Sequence, residues 1–116
     1  MKYRKLKINK YFYKLYIYDS LEELQAKYGK VKGLCIHNKN PKNWMGDIIV
    51  SKDQPSAITV HELYHATSWL EKHKRKIIPF KYDNHKRCVG KEEWIALVIE
   101  TLWEQVLAQP PTEAWR

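Results

Sequence analysis

The stretch His61-Glu62-Leu63-Tyr64-His65 holds the clearest chemistry in this chain. On an α-helix, residues four apart lie one above the other on the same face. The two imidazoles of such an HExxH sequence can bind one Zn²⁺, and the glutamate beside the first can take a proton from the water that the metal activates. The plain alternative is a helix that merely carries two exposed histidines. The flanking residues favour the metal reading. Pro55 suits the first turn of a helix, with Asp53 as its cap, and Ile58, Leu63, Ala66 and Leu70 keep helical spacing through the motif. The spacing predicts a helix from Pro55 to about His73.

Catalytic zinc normally keeps three protein ligands and one open position, so two histidines are not enough. One scheme, HExxHxxGxxH, bends the chain at a glycine. Here Ser68 holds the glycine position and Glu71 the third-histidine position. Without the bend Glu71 continues around the helix, which rules the scheme out. A second scheme draws a glutamate from a following helix, and Glu92, Glu93, Glu100 and Glu104 are the choices. A glutamate in a strongly apolar helix is costly to bury unless it is paired or coordinates a metal. Glu92 and Glu93 also suit a helix first turn on electrostatic grounds alone. Glu100, deep in the apolar stretch, is the runner-up ligand or a partner for a ligating histidine. A third scheme uses a later histidine, as in SprT-like, DNA-associated metalloproteases. His73 and His85 are available, the second near Cys88, although such residues more often belong to surface loops. His37 reads as a strand residue without a role.

The elements that must position these residues are legible in outline. Tyr3 to Ile8 and Tyr11 to Tyr18 are rich in aromatic and branched residues and read as two strands around a turn at Asn9-Lys10. Ser20, with Glu23 three residues on, opens a helix Leu21 to Tyr28 that stops at Gly29. Val31 to His37 and Gly46 to Ser51 are further strands, the second expected at the sheet edge just before the motif helix. The segment 77–90 is irregular. A last helix runs from Lys91 to about Ala108, ended by Pro110-Pro111. Its apolar residues cover most of its circumference, which predicts the most buried helix of the fold.

The segment Thr59-Val60-His61-Glu62-Leu63-Tyr64-His65-Ala66 closely resembles the active-site helix of small gluzincin-type metallopeptidases, compact versions of which are common in bacteriophages and prophages. In that family a second helix carries a glutamate, an alanine three residues later, and then an apolar run. Glu93-Trp94-Ile95-Ala96-Leu97-Val98 matches that pattern, so the resemblance implies Glu93 as the third zinc ligand. The ImmA/IrrE-like peptidases have a similar arrangement. The resemblance covers residues 46–107 approximately. It implies a minimal zincin-like α+β domain, with a small antiparallel or mixed sheet packed on the HExxH helix and on a C-terminal helix bearing the glutamate.

Composition sets the remaining bounds. The 116 residues suit one domain, 1–116, with one core. Hydrophobic content of 44% argues against disorder. No apolar run reaches the length of a membrane span, and Met1 to Lys10 lacks the apolar region of a signal peptide, so a cytoplasmic protein is expected. Cys35 and Cys88 are too few for a disulfide framework and read as free thiols. Net charge is +8, with basic clusters at Lys2 to Lys14, Lys72 to Lys76 and His85 to Arg87. These clusters suit acidic partners, nucleic acid among them, but solvated faces account for them more simply, since charge alone gives no groove and no readout.

The expected activity is peptide-bond hydrolysis on a peptide or protein substrate, with zinc held by His61, His65 and Glu93 and with Glu62 as the base. Tyr64, Tyr82 and His85 are candidates to stabilise the oxyanion. The alternative is a basic binding protein whose zinc only stabilises the fold; its N-terminal lysines and aromatics would suit nucleic acid or a host protein. Glu62 separates the two, because a structural zinc site needs no base beside it.

Overall fold

Asn9 turns the chain back on itself with φ 57°, a left-handed conformation that asparagine tolerates. Its side chain accepts the Lys10 backbone N–H at 2.8 Å. β1 (Arg4–Ile8) and β2 (Tyr11–Tyr18) therefore form an antiparallel hairpin, with Ile8 opposite Tyr11 and Arg4 opposite Leu15. Alternation then sorts the side chains. Leu6, Ile8, Tyr11, Tyr13 and Leu15 join the main core, while Lys5, Lys7, Phe12, Lys14 and Tyr16 take the other face.

The computed structural model describes residues 2–78, 80 and 89–110. Within them the chain is α+β. After the hairpin come α1 (Leu21–Tyr28), β3 (Leu34–His37), β4 (Trp44–Ser51), α2 (Ser56–Lys74) and α3 (Lys91–Ala108). The four strands form one mixed sheet in the order β1-β2-β4-β3. β2 and β4 are parallel, with α1 and β3 in the connection between them, and β3 returns antiparallel to β4. α2 packs on β4 and β3, α3 on α2 and β1, and α1 on β4 and β2. No helix among the described residues is long and apolar enough to cross a membrane.

β4 departs from expectation. The sequence predicts it as an edge strand, but it lies between β2 and β3. Consecutive residues Ile48, Ile49, Val50 and Ser51 are all buried, so both faces of the strand are covered, as an interior strand requires. The edge falls to β3. Gly46, at φ 147° on β4, lies so close to the Ile36 carbonyl and the Tyr13 ring that no side chain fits there.

Asp53 also departs from expectation. It does not cap α2, which starts behind Pro55 without a side-chain cap. Instead its carboxylate accepts the Leu21 backbone N–H at 2.9 and 3.1 Å. Ser20 Oγ accepts the Glu23 N–H at 3.2 Å, so α1 is capped twice. The parallel pairing brings this about. Tyr18 sits beside Ser51, and the Lys52 N–H donates to the Tyr18 carbonyl at 3.0 Å, which sets the turn after β4 against the start of α1.

α3 is less buried than its composition predicts. Trp94, Val98, Leu102 and Val106 form one buried stripe at four-residue steps, while Glu93, Ala96, Glu100 and Glu104 are exposed. Trp94 anchors the first turn by donating its indole N–H to the Ile78 carbonyl at 2.8 Å. Near the other end, Gln105 grips the open edge of β1. Its Oε1 accepts the Lys7 N–H at 2.7 Å and its Nε2 donates to the Lys7 carbonyl at 2.6 Å.

Candidate metal centre

His61, His65, Trp69 and His73 follow one another at four-residue steps along α2, so they form a single stripe of rings. The His61 and His65 Nε2 atoms are 3.1 Å apart. Two nitrogens on one tetrahedral zinc, each at its ordinary bond length, would be roughly 3.3–3.4 Å apart. The pair is therefore set close to the span that one metal needs. Without a metal, the same separation lets one neutral imidazole donate its N–H to the other. Glu62 completes the group: one ligand atom from each of the three residues lies within 4.8 Å of the others.

The three differ in burial. Both imidazoles are exposed, whereas Glu62 is only 6% exposed. Burial pushes the Glu62 carboxyl above its ordinary pKa, and the neighbouring His61 and His65 pull it back. Gly33, just before β3, makes this burial possible. A Cβ there would lie 2.8 Å from Ile58 Cγ2 and 3.2 Å from Glu62 Oε2. The backbone at Gly33 thus passes directly over the carboxylate.

β3 carries a residue whose place the sequence does not reveal. The His37 ring stacks on Trp69 with centroids 4.6 Å apart and planes 6° from parallel. Trp69 in turn lies 4.2 Å, ring to ring, from His73. His37 Nδ1 meets the Tyr13 hydroxyl at 3.0 Å and Cys35 Sγ at 3.8 Å. Burial lowers the His37 pKa, and His65 and His73 lower it further, so the three histidines sit in one electrostatic neighbourhood. Read along its own strand, His37 shows nothing but a polar position. The continuation of the four-residue stripe through Trp69 is the signal that could have drawn attention to this face. Beside it, Cys35 is a free thiol whose pKa is pushed up to about 12, chiefly by burial and then by the charges of Glu62 and Asp47.

The glutamates of α3 stand apart. Glu93 lies exposed in the first turn of α3 and outside the His61-Glu62-His65 group, as does its neighbour Glu92. Glu100 is exposed as well, so it is an ordinary solvated residue, and the burial argument that made it a candidate ligand does not hold. Tyr64, 54% exposed, places its ring 6.2 Å from that of His65. Tyr82, His85 and Cys88 lie outside the described residues. A concave region near the C-terminal end of α2, lined by Glu71, Lys72, His73, Arg75 and, from α3, Trp94, includes neither His61 nor Glu62.

No protein-family model, curated protein or solved structure matches this chain.

Proposed function

We propose that this chain is a zinc-dependent peptidase on a minimal zincin-like fold, with Glu62 as its general base. The observation that carries the reading is a buried glutamate set beside two imidazoles at the spacing of one metal. His61 and His65 are the first two ligands. Glu93 is the third that the resemblance to gluzincin-type peptidases implies, and its place in the first turn of the helix packed on α2 leaves it in the neighbouring element. Zinc, when bound, supplies a Lewis acid that brings the pKa of water toward neutrality.

Glu62 accepts the proton of the attacking water at its carboxylate and passes it to the leaving amine. Its raised pKa is in the direction that such shuttling at neutral pH needs. The substrate, a peptide or protein segment, lies extended along the open edge of β3, where main-chain hydrogen bonds can add it to the sheet as a further strand. Tyr64, exposed beside His65, is the candidate among the described residues to donate a hydrogen bond to the oxyanion.

The test is Glu62→Gln. Glutamine keeps the shape but cannot take the proton, so hydrolysis of a peptide library should fall about 10²–10⁴-fold while metal content and fold stay unchanged. Equal cleavage by both forms would remove Glu62 from the reaction. Failure of the wild-type, zinc-loaded protein to cleave any member of the library would replace the peptidase with a zinc-stabilised binding protein.

A further inference from the structure

The face of the sheet opposite α2 and α3 is covered unevenly. α1 packs over β4 and β2, and Tyr28 of α1 meets Tyr18 at the far end of β2 with ring centroids 6.1 Å apart. Among the described residues no helix covers the hairpin half of the face. It presents Tyr3, Lys5, Lys7, Phe12, Lys14 and Trp44, with Tyr3 43% and Trp44 40% exposed.

Two features of this half point to a ligand. Lys5 and Lys14 are direct cross-strand partners, and like charges placed directly opposite destabilise a sheet. Among the described residues, none of Lys5, Lys7 and Lys14 forms an ion pair that would relieve this. The one carboxylate in register with them, Asp47 opposite Lys14, accepts the Trp44 indole N–H at 3.1 Å and so fixes that ring in place. The second feature is the alternation of rings and ammonium groups. Lys5 Nζ lies 4.4 Å from the centre of the Phe12 ring. Lys14 Nζ lies 4.8 Å from that of Tyr3 and 5.0 Å from that of Trp44. Flat aromatic faces interleaved with cations that form no ion pair among the described residues match a chain that offers planar bases and phosphates in alternation.

We propose that the outer face of the β1–β2 hairpin is a binding site for single-stranded nucleic acid, independent of the metal centre on the opposite side of the sheet. Bases stack on Tyr3, Phe12 and Trp44, and the displaced ammonium groups of Lys5 and Lys14 turn to the adjoining phosphates. Duplexes are excluded from this mode, because their bases are already stacked and unavailable to the rings.

The experiment is fluorescence anisotropy of the full chain with labelled oligothymidylate and oligouridylate of about 20 nucleotides, a length that spans such a site. A duplex of the same length, vesicles containing an anionic lipid, and polyglutamate serve as competitors. Binding should weaken with salt, and Lys5→Gln and Lys14→Gln should each reduce the log–log salt slope by about 0.7. Phe12→Leu and Tyr3→Leu should each weaken binding roughly 5- to 100-fold. Lys72→Gln and Glu62→Gln should leave affinity close to that of the wild type. Thermal unfolding of the lysine variants should stay within a few degrees of the wild type, which separates loss of the site from loss of the fold. Three results would overturn the proposal: affinity insensitive to Phe12 and Tyr3, affinity that follows Lys72 instead of Lys5 and Lys14, or competition by duplex, vesicles or polyglutamate as strong as by the single strands. The Glu62→Gln arm keeps this outcome separate from that of the peptidase reading.

Discussion

α2 and α3 are similar in length, and each carries glutamates, but they place them in opposite environments. α2 holds Glu62 at 6% exposure under the backbone of Gly33, with only two imidazoles to compensate its charge. α3 leaves Glu92, Glu93, Glu100 and Glu104 in solvent around a single apolar stripe. Burying a carboxylate without full pairing opposes folding, whereas exposing one on a helix surface costs next to nothing. The difference teaches where the fold spends stability on a carboxylate: the α3 glutamates face solvent, whereas Glu62 is held where water would otherwise stabilise it better.

The comparison can be broken most decisively at the imidazoles. His61→Ala or His65→Ala should abolish binding of the roughly one zinc per chain expected of such a site, as read by elemental analysis. Full occupancy in both variants would leave the burial of Glu62 without a metal to explain it.

Cys35, on β3, feels the charge of Glu62. Its pKa of about 12 means that the thiolate population, and with it the rate of iodoacetamide labelling, should lie on the order of 10³-fold below that of an ordinary thiol. The rate should climb about tenfold per pH unit and show no plateau above the pH at which ordinary thiols are fully ionised. Peptide mapping after labelling at mildly alkaline pH checks this, and rapid modification of Cys35 would show that its thiol is open to solvent.

The α3 side of the comparison is sharpened by Glu93→Ala and Glu100→Ala. Loss of Glu93 should weaken zinc binding by at least the roughly 10–100-fold seen when a ligand's supporting partner is lost, and loss of Glu100 should leave it unchanged. The reverse pattern in a competition titration would shift the register of the ligand on α3 by two turns. The smallest effect belongs to Gly33→Ala. A methyl there presses on Ile58 and Glu62, so stability should fall by about 1–3 kcal/mol in denaturant unfolding, and hydrolysis should fall further than stability alone accounts for. An unchanged protein would mean that Glu62 has room to move.

What was legible in the sequence was local. The limits of α1 follow from Ser20 and Gly29, and those of α3 from the apolar period before Pro110. The i, i+4 histidine pair on α2 needs nothing beyond helix geometry. What was hidden depended on pairings between distant segments. Nothing in β4 announces a parallel partner, so its place inside the sheet and the transfer of Asp53 to the start of α1 could not be read along the chain. His37 reaches α2 only through the order of the strands. Glu100 was misjudged because apolar content was counted around α3 without knowing that its cover comes from one side.

The grip of Gln105 on Lys7 has a consequence for how molecules of this protein meet. One side-chain amide satisfies both the N–H and the carbonyl of a residue on the outer strand, just as a neighbouring strand would. β1 is thereby closed to pairing with a second chain at Lys7, while among the described residues the outer edge of β3 carries no strand. Self-association through the sheet is steered to a single side of the molecule. Weakening the clamp, as in Gln105→Ala, would open a second side, turning an assembly that can only cap itself into one that can grow as a fibre.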